Sequence, residues 1–283
     1  MSIRRVGLVA PGEMGSAVAA AITAAAVRVV WASHGRGDAS RRRAEDAAID
    51  DVGDLGALVA ASDMLLSVCP PHAAVEVAGE VAAHGFTGLY LDANAVAPQT
   101  ARGIAATVTS GGADYVDGGI IGGPPRERGT TRLYLAGARA AEVAALFDAG
   151  PLEAPVVGGA APAASALKMA YAGWTKGSAA LLLAVRAMAS AEGVEAELLA
   201  EWKRSQPALA GRSERAAASA ARKGWRWVGE MDEIAVGLGA AGLPDGFHVA
   251  AAAVFERVAH LRDTPTTDVA AVTTALLETG EER

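Results

Sequence analysis

Two stretches of this chain carry residue types at spacings that can do chemistry. The first is Val6-Gly7-Leu8-Val9-Ala10-Pro11-Gly12-Glu13-Met14-Gly15, an apolar strand, a tight turn and a helix start in the order that dinucleotide binding requires. Gly12 would let the backbone approach a pyrophosphate, and Gly15 would let the helix pack closely on the strand. The helix amino terminus would supply N–H donors to the anion, which makes Pro11, Gly12, Glu13 and Met14 candidate cofactor contacts. Ala10 stands where the first glycine of the pattern usually stands. The second stretch surrounds Lys168, one of only four lysines against twenty-one arginines. Its neighbours Ala164, Ala166, Leu167, Met169 and Ala170 are uncharged, a setting expected to strip water from an ammonium.

Which dinucleotide is expected follows from the end of the next strand, Trp31-Ala32-Ser33-His34-Gly35-Arg36. An acid there would bind the ribose hydroxyls, but the sequence offers none before Asp38. Ser33 and Arg36, with His34 between them and Arg41 beyond, can instead hold a 2'-phosphate through charge-assisted hydrogen bonds. The expected cofactor is therefore NADP(H). Arg42 and Arg43 read as the solvated end of a helix.

These residues need a scaffold, and the first half of the chain alternates strand-like and helix-like segments. Strands are expected near Val6–Val9, Val27–Trp31, Met64–Val68, Leu89–Asp92, Asp114–Val116, Arg132–Leu135 and Val156. Helices are expected over Met14–Ala25, Asp54–Ala61, His72–His84, Pro98–Thr109 and Ala140–Phe147. The fold class is α/β, a Rossmann doubly wound parallel sheet followed by an all-helical carboxy-terminal domain. A dinucleotide-binding domain over 1–158 gives way near Gly158-Gly159 to a helical substrate and dimerisation domain over 159–283. Its long first helix spans about 163–192, with further helices over Ala196–Lys203, Ser213–Lys223, Glu230–Gly239, Phe247–Leu261 and Asp268–Glu278.

Composition narrows the function classes. With 283 residues, 52% of them hydrophobic, the chain can bury one large core or two. A net charge of -7 without a concentrated basic stripe argues against a nucleic-acid partner. The apolar run Leu181–Ala189 is cut by Arg186 well short of a bilayer span, so no membrane partner is expected. Met1-Ser2-Ile3-Arg4-Arg5 lacks the pattern of a secretory signal, which points to the cytoplasm. Cys69, the one cysteine, makes neither an internal disulfide nor a zinc signature, and no metal site is expected.

Taken in order, Gly12-Glu13-Met14-Gly15, Cys69-Pro70-Pro71, Leu91-Asp92-Ala93-Asn94-Ala95-Val96-Ala97-Pro98, Asp117-Gly118-Gly119-Ile120-Ile121-Gly122-Gly123 and Lys168 resemble the beta-hydroxyacid dehydrogenase family. That family includes 6-phosphogluconate and 3-hydroxyisobutyrate dehydrogenases, with imine reductases as relatives. The likeness covers about the first 190 residues. Trp225-Arg226-Trp227-Val228-Gly229-Glu230-Met231 and Gly242-Leu243-Pro244-Asp245-Gly246-Phe247-His248 look like a branch with a short, divergent helical domain.

The resemblance implies a hydride transfer between nicotinamide and a hydroxy acid or a related alcohol and carbonyl pair. Lys168 would be the acid or base, and Tyr171, one turn on, an alternative proton donor. It also places Cys69, Pro70 and Asn94 beside the cofactor. Asn94 is the polar group left to hold a substrate oxygen where relatives carry Ser, its other reading being a loop hydrogen bond. Gly122 and Gly123 offer backbone N–H groups to substrate. Ala172 stands where relatives have Asn, and Ile121 where they often have Ser. Both departures favour a larger or less polar small molecule than a 3-hydroxy acid. Trp227 and Met231, with Trp225, would give apolar walls, and Arg226, Glu230 and His248 polar contacts, although core roles suit them too. The alternatives are an imine reductase and a dinucleotide-binding protein without catalysis. A homodimer is expected.

Overall fold

The computed structural model describes residues 3–22, 27–159, 161–264 and 268–278. Its framework is a seven-stranded sheet in the order β3-β2-β1-β4-β5-β6-β7. The strands are β1 (Arg5–Leu8), β2 (Arg28–Trp31), β3 (Asp50–Asp51), β4 (Met64–Ser67), β5 (Leu89–Asp92), β6 (Asp114–Ile121) and β7 (Arg132–Ala136). The chain starts in the middle and winds outward, first towards β3 and then back past β1 towards β7. That leaves the reversal of strand order between β1 and β4, where open α/β sheets bind ligands at the carboxyl ends of their strands.

Alternate side chains of these strands enter two separate cores, as a sheet covered on both faces requires. Val6, Leu8, Leu89, Leu91 and Val116 fill one side, and Leu65, Tyr90, Leu58 and Ile104 the other. The covering helices are α1 (Glu13–Ala20), α2 (Asp38–Asp46), α3 (Leu55–Ala61), α4 (Ala74–Ala83), α5 (Pro98–Ser110) and α6 (Ala140–Ala144). Local chemistry sets their starts: Asp54 Oδ1 accepts from Ala57 N at 2.8 Å to cap α3. Pro98 opens α5, where a missing N–H costs nothing.

Three expectations are corrected. The sheet is parallel only as far as β6, and β7 runs antiparallel to it. The connection Gly122–Thr131 is shorter than the roughly dozen residues that a parallel crossover needs, so the chain can only turn back beside itself. Strand β3 stands where no strand was expected, after α2, the helix whose solvated end Arg42 and Arg43 were read to form. β3 has just two residues, both exposed acids, and is held by pairing Val30 with Asp50 and Trp31 with Asp51 rather than by any apolar pattern. α1 ends at Ala20, short of the expected Ala25; residues 23–26 lie outside the described ones.

The chain divides into two compact units, residues 1–169 and 170–283, and the division falls within α7 (Ala163–Ala191). The second unit continues with α8 (Glu195–Ser205), α9 (Leu209–Ala240), α10 (Gly246–Val258) and α11 (Val269–Leu277). Where two helices were expected, over Ser213–Lys223 and Glu230–Gly239, α9 runs unbroken. Gly224 is no break: a Cβ there would lie 3.4 Å from Val258 Cγ2 and 3.6 Å from Phe255 O, so its small size admits α10. Arg186, buried on α7, donates to Glu195 Oε1 at 2.8 and 2.6 Å and to Ser213 Oγ at 2.8 Å. One guanidinium thus ties α7 to the start of α8 and to α9.

Candidate functional site

The turn after β1 pairs an open glycine with a close-packed one. Gly12 is the N-cap of α1 with extended backbone, and a Cβ on it would meet nothing within 4 Å. Gly15 differs: a Cβ there would lie 2.7 Å from Ala10 O and 3.5 Å from Val68 Cβ, so it is bare to let helix and strand approach. Pro11 is buried, whereas Glu13 is exposed at the helix start and Met14 packs partly against the core. The open space over Gly12, at a helix end whose first N–H groups the helix itself does not satisfy, fits a pyrophosphate.

Beside this turn three arginines hang on backbone carbonyls. Arg36 donates to Val9 O at 3.3 Å, Arg41 to Ser33 O at 3.2 Å, and Arg43 Nε to Pro11 O at 2.9 Å. Arg36 and Arg41 are otherwise exposed, as is His34. Arg43 is not the solvated residue expected, because α2 turns it back onto the binding turn, a contact between segments 32 residues apart that no local pattern announces. Asp51 was likewise missed. Its Oδ1 accepts from Ser33 N at 3.1 Å and Gly53 N at 2.9 Å. Burial pulls its pKa up, but the hydrogen bonds from Ser33 and Gly53 and the Arg41 charge outweigh that and hold it below the usual value.

On the other side of the strand-order reversal, Ser67, Asp92 and Asp117 stand in register across β4, β5 and β6. Asp92 is buried, accepting from Asn94 N at 3.1 Å, Asn94 Nδ2 at 2.7 Å and Tyr115 Oη at 3.2 Å. Asn94 Nδ2 also donates to Ser67 Oγ at 3.0 Å, and Asn94 Oδ1 accepts from Cys69 N at 2.6 Å. Both amide hydrogens of Asn94 are therefore engaged inside the protein, as in its loop-bonding reading. Cys69 and Pro70 follow β4 in the loop this amide holds. Burial pushes the Cys69 thiol up to about 11, so it is a neutral group near pH 7.

Asp117 positions the lysine. Its Oδ2 accepts from Ser165 N at 2.9 Å and its Oδ1 from the Ser165 hydroxyl, which pins the first turn of α7 to β6. Burial raises the Asp117 pKa even so. Gly119, two residues on, lets the helix touch the strand: a Cβ there would lie 2.5 Å from Ala164 O and 3.1 Å from Lys168 Cβ. Lys168, half-buried, thus stands one helical turn beyond the clamp, beside Gly119. Gly122 and Gly123 follow on the same strand's exit, where Thr131 Oγ1 donates to Gly123 O at 2.6 Å.

The other candidates belong to the second unit. Tyr171 is exposed and Ala172 buried on α7; Met231 is fully buried in the helical core. Trp227 is partly buried, its ring edge-on to Phe255 at 5.0 Å, with Lys176 Nζ 5.5 Å from its centroid. Lys176 pairs with Glu230, and His248 Nε2 lies 3.1 Å from Gly173 O, so Glu230 and His248 engage α7, while the Arg226 guanidinium lies 5.4 Å from the centroid of the Trp225 ring. Among the described residues no group of His, Cys, Asp and Glu has a metal-binding arrangement, and no helix is long and apolar enough to cross a membrane.

Comparison with known proteins agrees with this architecture. Residues 5–149 match the NAD binding domain of 6-phosphogluconate dehydrogenase, and residues 189–258 match a domain of unknown function. The chain is 30% identical over 196 residues to an uncharacterized 28.5 kDa protein of Methanothermus fervidus, covering 69% of this chain and 74% of that protein. In fold it is similar to the 3-hydroxyisobutyrate dehydrogenase of Mycobacterium tuberculosis solved with L-serine (TM-score 0.69, 16% identity, 98% of this chain and all of that one). It is similar also to a reductive aminase of Aspergillus terreus solved with an NADPH-type cofactor, cyclohexanone and allyl amine (TM-score 0.56, 20% identity, 97% and 99%). With the binding turn, the sheet order and a match spanning half its length, the chain belongs to the 6-phosphogluconate dehydrogenase family, a nicotinamide-dinucleotide-binding domain followed by a helical one.

Proposed function

We propose that this protein is an NADP(H)-dependent oxidoreductase acting on a small hydroxy acid or a related alcohol and carbonyl pair, with Lys168 as general acid and base. The observation that carries the reading is the Asp117 clamp with bare Gly119, which holds Lys168 at the carboxyl edge of the sheet that also bears the binding turn. The bound nicotinamide supplies or accepts the hydride. Gly12 and the first turn of α1 receive the pyrophosphate, and Arg36 and Arg41, next to Ser33, face the 2'-phosphate. Lys168 Nζ gives a proton to the oxygen of a carbonyl as it is reduced, or takes it from a hydroxyl in the reverse direction. Backbone N–H groups at Gly122 and Gly123 orient the substrate. Of the candidates in the helical unit, Tyr171 is exposed and Trp227 half-buried, whereas Ala172 and Met231 are buried and offer no surface of their own.

Ile121 and Ala172, apolar where relatives are polar, together with the fold shared with a reductive aminase, support imine reduction as the second reading. Asp51, at Ser33, is the observation on the side of NAD(H). Titration of tryptophan fluorescence with NADPH and then NADH tests the cofactor. The expected result is tighter NADPH binding, lost at least ten-fold in Arg36→Ala, with NADH little affected; equal weakening of both removes Arg36 from the phosphate. Lys168→Ala should still bind NADPH and lose turnover on a carbonyl panel, whereas retained turnover on cyclic imines selects the second reading. Assembly as a homodimer belongs to the same proposal.

A further inference from the structure

The row Ser67, Asp92, Asp117 is polar chemistry buried where a sheet ordinarily places apolar side chains, and the acid–base role uses only its last member. Asp92 is the member with no part in that step. It is buried to 1% exposure, and the bonds it receives come from Asn94, itself buried, and from Tyr115. Asn94 gives it both its backbone N–H and one amide hydrogen, and Tyr115 reaches it from the next strand. A carboxylate accepts only, so it dictates which end of the Asn94 amide faces it. With Nδ2 turned to Asp92 and Ser67, Oδ1 is left for Cys69 N, at 2.6 Å.

We propose that Asp92 is a positioning residue which, through the orientation it imposes on the Asn94 amide, shapes the Cys69-Pro70 turn for the nicotinamide half of the dinucleotide. The inference rests on the proposed dinucleotide role and deepens it. The 2'-phosphate end is assigned to Ser33, Arg36 and Arg41 after β2, on the far side of β1. The turn after β4 lies across the reversal point, on the half of the sheet that must take the other nucleotide. Charged and titratable groups around Asp92 are Asp117 and Tyr115 on β6, Tyr90 on its own strand and Cys69 after β4. Burial, and among these groups chiefly Asp117, pushes the carboxyl up to about 6. Tyr115 and Tyr90 are raised further still by burial and stay neutral, Tyr115 as the donor to Asp92.

The test compares wild type, Asp92→Asn and Asp92→Glu by fluorescence titration with NADPH and with adenosine 2',5'-bisphosphate, which has the phosphate end and no nicotinamide. Asp92→Asn keeps the shape but offers an N–H as readily as an oxygen, so it no longer dictates the amide's orientation. The expected result is NADPH binding about ten-fold weaker with the bisphosphate unchanged, partly rescued in Asp92→Glu. NADPH unchanged, or both ligands weakened equally, overturns the proposal, the second outcome assigning Asp92 to general stability. Failure of wild type to bind NADPH at all would instead remove the dinucleotide reading on which this rests.

Discussion

Gly12 and Gly15 stand three residues apart under opposite constraints. A methyl group on Gly12 meets no protein atom within 4 Å, whereas one on Gly15 runs into Ala10 O at 2.7 Å. Gly12→Ala should therefore leave thermal stability unchanged and weaken NADPH at least ten-fold, while Gly15→Ala should cost about 1–3 kcal/mol of stability through overpacking. Thermal melts with and without NADPH separate the two, and a Gly12→Ala protein that binds normally would refute the turn as the pyrophosphate site. Asp92 gives a pH prediction. Its pKa is raised from 3.8 to about 6 in the fold, so the folded state holds the proton that the unfolded chain has lost. Its contribution to stability is present in full below about pH 4 and is lost as pH rises through 6, by roughly 3 kcal/mol at most. Urea unfolding of Asp92→Asn should accordingly gain on wild type between those pH values; a difference independent of pH would contradict this. The glycine turn was legible in the sequence because its spacing is local. Arg43 on Pro11 O and Asp51 on Ser33 N were not, since each joins segments that only the folded β2-α2-β3 region brings together.

At the scale of elements, β6 and the first turn of α7 act as one piece. Two contacts join them: the Asp117 carboxylate on Ser165, and the bare Cα of Gly119 against Ala164. Gly119→Ala must push the helix away from the strand by a sizeable part of an ångström, and displacement of that order at a reacting group costs about 100-fold in rate. The expected outcome is a kcat reduced by about that factor with NADPH affinity retained, read by steady-state kinetics and titration; an unchanged kcat would detach Lys168 from the chemistry. Strand and helix existence was readable wherever an apolar period ran for several residues, as in β4, β5 and α5. It failed for β3, which has no apolar residue to show, and for α9. There two helices were expected, over Ser213–Lys223 and Glu230–Gly239, although a glycine such as Gly224 inside a long helix need only answer to a neighbouring helix.

For the whole molecule, assembly and solubility depend on what the surface leaves uncovered. Trp174, Leu181 and Met188 recur every seven residues along α7 and are 68%, 56% and 61% exposed, a stripe that a second copy would cover in the proposed homodimer. Leu181→Asp places a charge on that stripe without touching the core, so light scattering should show a dimer for wild type and a shift to monomer for the variant; a monomeric wild type would refute the dimer. The amino-acid sequence by itself determined the α/β alternation, the helical second half, the binding turn and the candidate lysine, because each is written in neighbours a few residues apart. Only the tertiary structure decided the antiparallel return of β7, the backbone contacts of the arginines and the buried row linking Ser67, Asp92 and Asp117. Strand register and side-chain burial are properties of segments far apart in the chain, and they exist only once the sheet has closed the distance between them.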